Sequence, residues 1–62
     1  MSERITKEQT DAAELIVNEA ENNGAWVNML SSVNEVLLDG VFTTEQLEAI
    51  ILLKRYQLQQ GS

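Results

Sequence analysis

The stretch AWVNMLSSVNEVLLDG, residues 25–40, decides how this chain is read. Gly24 precedes it and Gly40 closes it, and neither Pro nor Gly interrupts the fifteen positions between them. Placed on a 100° wheel, Trp26, Met29, Leu30, Val33, Val36 and Leu37 fall on one stripe. Asn28, Ser31, Ser32, Glu35 and Asp39 fall opposite. That period is the mark of an amphipathic helix with one face turned to a core. A helix is therefore expected over 25–39.

The flanking segments read the same way. Glycine is the usual residue just past a helix end, so Gly24 and Gly40 divide the chain into three helical lengths, near 7–23, 25–39 and 44–59. The outer two share a signature. Thr6 with Gln9, and Thr43 with Gln46, each match Thr-x-x-Gln. In such a capping box the hydroxyl accepts from the amide three residues on, and that residue's side chain reaches back to the cap amide. Glu8 and Glu45 then lie in first turns, where negative charge suits the helix dipole. The likeness of RITKEQTDAAELI (4–16) to VFTTEQLEAIILL (41–53) is thus what two well-started helices need, and no repeat is required to explain it. Residues 1–5 and 60–62 are expected to fray.

The expected fold is all-α: one small domain over 1–62, three short helices, and a core built on the hairpin of the second and third. Ile16, Trp26, Leu30, Val33, Leu37, Leu47 and Ile51 are the expected core. The first helix offers a stripe of smaller residues, Ala13, Ile16, Val17 and Ala20. The third is apolar around most of its girth. Leu47, Ile51 and Leu58 lie on one side, Ala49, Leu53 and Tyr56 nearly opposite, and Leu52 beyond Tyr56. A helix of that kind expects burial on more than one side. A 62-residue chain has few elements with which to supply it. A homodimer is therefore expected, with Ala49, Leu52, Leu53 and Tyr56 at its interface.

Composition excludes much chemistry. With no Cys and no His, neither a disulfide nor a Cys/His zinc site can form. Nothing pairs a nucleophile with a base, and three short helices rarely enclose the pocket a carboxylate pair needs for acid–base work. No catalysis, no cofactor and no metal are expected. The longest apolar run, Ala49 to Leu53, is far short of a membrane span, and no apolar N-terminal run resembles a signal peptide. A soluble, cytoplasmic protein is expected.

The segment EVLLDGVFTTEQL resembles the second half of an EF-hand loop, with Asp39-Gly40 at the Asp-Gly positions and Phe42 at the hydrophobic one. The resemblance implies calcium. It departs where ligands are needed, at Leu37 in the third loop position and at Gln46 in place of the bidentate Glu. Residues 33–53 also resemble a short helical hairpin common at the C-termini of bacterial proteins, which implies assembly.

Ten acids against four bases give a net charge of −6, the reverse of the basic footprint that nucleic acid binding needs. A helix-turn-helix reading of the second and third helices fails likewise, because Glu45 and Glu48 would meet phosphates. Residues 7–23 carry five acids and one base, −4 of the total. Asp11, Glu14, Asn18 and Glu21 share the polar face of that segment and are the candidate surface for a basic partner. The expected role is a non-enzymatic interaction module, a regulator or adaptor that binds another protein. A self-assembly module is the second reading. A nucleic-acid mimic of the kind viruses, phages and mobile elements encode is the third.

Overall fold

The computed structural model describes residues 4–31 and 33–61. Four elements follow in order: helix α1 (Lys7–Asn22), strand β1 (Trp26–Asn28), strand β2 (Leu37–Asp39) and helix α2 (Thr44–Gly61). The chain is α+β, not all-α. The helix expected over 25–39 is replaced by a small antiparallel hairpin, and with it goes the helical hairpin that residues 33–53 resembled. Trp26 pairs with Asp39, Val27 with Leu38 and Asn28 with Leu37.

Both helices start where their caps require. The Thr6 hydroxyl accepts from the Gln9 amide at 3.2 Å, and the Thr6 amide donates to Gln9 Oε1 at 2.8 Å. At α2 the Gln46 amide donates to Thr43 Oγ1 at 3.0 Å, and the Thr43 amide to Gln46 Oε1 at 2.9 Å. The end of α1 is equally local. The Gly24 amide donates to Glu21 O and the Ala25 amide to Ala20 O, at 3.0 and 3.1 Å. This is the Schellman pattern, and Gly24 takes the positive φ of 100° that it requires.

The hairpin rests on two less ordinary devices. Gly40 sits at φ 122° directly against Ala25, where a Cβ would stand 2.9 Å from Ala25 Cα. Only glycine lets the strand after α1 and the strand before α2 approach so closely. The second device is Lys54, which is buried. Its ammonium donates to Met29 O, to Leu30 O at 2.7 Å and to Gln57 Oε1 at 2.5 Å. Three N–H groups thus meet three oxygens, the condition on which a charge can be buried without a counter-ion. Leu30 there holds φ at 52°, a left-handed geometry that costs a non-glycine residue about 1–2 kcal/mol.

The helices run antiparallel, the start of α1 being clamped to the end of α2. The Ile5 amide donates to Gln59 Oε1, and Gln59 Nε2 donates to Ile5 O, both at 3.0 Å. Within the termini expected to fray, 1–5 and 60–62, Ile5 carries this clamp and α2 continues to Gly61; residues 1–3 and 62 lie outside the described ones.

The core is small. Ala13, Val17, Ala49 and Ile50 form its buried centre, and Ile16, Val27, Met29, Val36, Phe42, Leu52 and Leu53 pack around it. It lies between α1 and α2 with the hairpin across one end, not in a hairpin of second and third helices. Of the seven residues expected inside, Ile16 packs against this centre and Leu30 is half-buried. Trp26 (50% exposed), Val33, Leu37, Leu47 and Ile51 (51%) are exposed. Strand alternation explains two of them: Val27 faces inward, so Trp26 faces out, and Leu37 lies across from the exposed Asn28. Val33 belongs to the loop joining the strands, and Leu47 and Ile51 lie on α2 away from α1.

Candidate functional site

Counting from Glu14, Val17 and Asn18 come three and four residues on and Glu21 seven, so the four share a face of α1. Opposite them stand Val27 from β1, Met29 just after it and Leu53 from α2. Together they line a hollow with an apolar floor and a polar rim. Val17 is buried at its base, while Glu14, Asn18 and Glu21 are exposed along its edge. Neither glutamate has an ion-pair partner among the described residues. The structure thus brings three of the four expected partner-binding residues to one hollow. Asp11 stands apart, one turn earlier, with its carboxylate 3.4 Å from Lys7 Nζ.

Such a hollow can hold a long cationic side chain. Its stem would lie on Val17, Val27, Met29 and Leu53 while its charge met the rim, the usual habit of lysine and arginine at a surface. The sequence does not show this floor, because the apolar spacing of 25–39 places Val27 and Met29 on a helix. The available signal was local: Val27, Val33 and Val36 are β-branched, and no capping box opens the segment just after Gly24.

A second hollow lies between the helices, lined by Gln9, Ala12, Ala13, Ile16, Glu45, Glu48, Ala49 and Leu52. Two of the four residues expected to meet a second copy, Ala49 and Leu52, line it. Ala49 is buried, with Leu52 and Leu53 packed around it inside one chain. Tyr56 is half-buried. The side of α2 that remains open carries Leu47, Glu48, Ile51 and Arg55 instead, all exposed.

Among the described residues no group of three or more acids is placed to hold a metal ion, and no helix is long and apolar enough to cross a membrane. Asp39, the acid of the calcium-like segment, lies in β2 paired with Trp26. Lys54, the most enclosed charge among the described residues, is held by protein oxygens and borders a hollow lined also by Asn34, Glu35, Val36, Ile51 and Arg55.

No protein-family model matches the chain, and no curated protein or solved structure shows significant similarity to it.

Proposed function

We propose that this protein is a small, non-enzymatic interaction module, a regulator or adaptor that works by binding another protein through a basic segment. The observation that carries the reading is the α1 hollow: unpaired Glu14 and Glu21 over a floor of Val17, Val27, Met29 and Leu53. Charge at such a rim steers encounter and sets salt dependence, while the apolar floor supplies contact area. The chain's net charge of −6 extends the same attraction over a longer range. The chain has no Cys or His for nucleophilic or metal chemistry, which favours binding, and a chain without thiols suits a reducing compartment, so the proposal sets the module in the cytoplasm.

The test is a capture experiment at low salt with two baits, the native chain and a variant carrying Asp11→Ser, Glu14→Lys and Glu21→Lys. All three positions are exposed, so helicity should survive the changes. The expected result is a basic partner that the native bait releases on raising salt and the variant fails to hold. A partner retained by the folded variant at low salt refutes the groove as its seat.

A further inference from the structure

The open side of α2 has a charge pattern that its own chain leaves unused. Thr44, Glu48, Ile51 and Arg55 follow at spacings of three and four residues, all exposed, with Leu47 beside them; Ile51 and Arg55 lie away from α1, and Glu48 stands at the edge where the open side meets the hollow between the helices. Glu48 and Arg55 are seven residues apart, about 10 Å along the axis, too far to pair within one helix. Neither has an ion-pair partner among the described residues. Glu35 lines the same hollow as Arg55 and Ile51 without forming one.

The geometry points to a second copy of this chain as the occupant of that face, docked with the two α2 helices antiparallel. A two-fold axis passing between Ile51 and Leu52 sets Glu48 of each chain opposite Arg55 of the other. It places the two Ile51 side chains at the centre and Thr44 toward the far end of the partner helix. An isologous contact requires the same patch to complement itself. An acid three residues before an exposed isoleucine and a base four residues after it meet that requirement, and they do so in only the antiparallel register. A parallel pairing in register would set Glu48 against Glu48 and Arg55 against Arg55. The two charges therefore fix orientation, while Ile51 and Leu47 supply the apolar area. This surface is separate from the α1 hollow, so either can fail without the other.

Charge exchange tests it on the full chain. Sedimentation or light-scattering mass is measured at rising concentration for the native protein, E48R, R55E and the double variant E48R/R55E, with far-UV circular dichroism as a check on folding. The native chain is expected to approach twice its 7.0 kDa mass at high micromolar concentration. Each single variant should weaken association about tenfold or more, since both ends of the contact become like-charged. The double variant should restore it. Ile51→Ser, which leaves the charges in place, should also give a monomer. A native chain that stays monomeric throughout overturns the inference. So do single variants that associate as tightly as native, or a folded double variant that fails to recover.

Discussion

Replacing Lys54 by Met isolates what its ammonium does. Methionine keeps the length and girth of the lysine stem, so the packing left behind is nearly unchanged. What is lost is the donor that meets Met29 O, Leu30 O and Gln57 Oε1. All three acceptors lie in half-buried residues, but Gln57 can turn its side-chain oxygen toward water while the backbone carbonyls are fixed by the loop, so the loss falls on those two. A buried acceptor left without a donor costs about 1–3 kcal/mol. Against that loss of about 4 kcal/mol in all stands the relief of no longer burying an ammonium, a few kcal/mol in the opposite sense. The carbonyls remain in place, so the balance falls on the side of destabilisation, by about 2 kcal/mol. A domain of this length has only about 3–9 kcal/mol of stability. The melting temperature should accordingly fall by about 8–16 °C, at 4–8 °C per kcal/mol. Thermal and urea melts followed by circular dichroism measure this, and amide exchange in residues 29–31 should quicken in step. A melting temperature within about 2 °C of native would refute the reasoning, for the loop would then hold Leu30 at φ 52° without the ammonium.

The two interior glycines should separate cleanly in the same melts. Gly24→Ala meets open space and bears only the positive-φ penalty, about 1–2 kcal/mol, whereas Gly40→Ala must also displace the Ala25 backbone and should lose about 3 kcal/mol or more. Equal losses at the two sites would show that the close approach of Gly40 to Ala25 contributes nothing. Thr43→Ala should cost about 1–2 kcal/mol and Thr6→Ala about half that, because Gln46 is buried and its orphaned amide has less access to water than the exposed Gln9 amide; a reversed order of the two melting temperatures would contradict this.

The two helices were legible because their signals are local. A Thr-x-x-Gln box fixes each start within a residue, and Gly24 fixes the end of α1 through a backbone geometry that few other residues adopt. The segment between them mimics a helix in its apolar spacing, which satisfies a helical wheel, while its composition does not favour one. Val27, Val33 and Val36 are β-branched, and Asn28, Ser31, Ser32 and Asn34 compete for the backbone with their own side chains. No capping box opens the segment. The choice of hairpin over helix was settled by contacts distant in sequence, Gly40 against Ala25 and Lys54 against Met29 and Leu30, which no window over 25–39 contains. The same mimicry displaces the site. Glu14, Asn18 and Glu21 could be grouped from α1 alone, but the floor beneath them needed Val27 on an inward strand position. On α2 the girth of apolar residues was evident, and the direction of its open side was not. Only the docking of α1 decides that Ala49 is inside and Ile51 outside.

Replacing a helix by a hairpin has a consequence for both surfaces. A third helix would have covered a broad strip of α2 and placed Trp26 and Leu37 inside. Three-residue strands cover far less, and no large side chain among the described residues is fully buried. Caps, the Gln59 clamp and the Lys54 contacts supplement this small core, and apolar residues stay outside it. Those on α2 lie on the far side of that helix from Leu53, which faces the α1 hollow. Pairing through Glu48, Ile51 and Arg55 therefore leaves both acidic hollows open, one on each flank of the pair. A partner carrying two basic segments could engage both at once. The second engagement would then be intramolecular, with apparent affinity up to about a hundredfold or more above that of a single hollow. E48R would abolish that gain and leave each hollow's own affinity intact, whereas Glu14→Lys would weaken both.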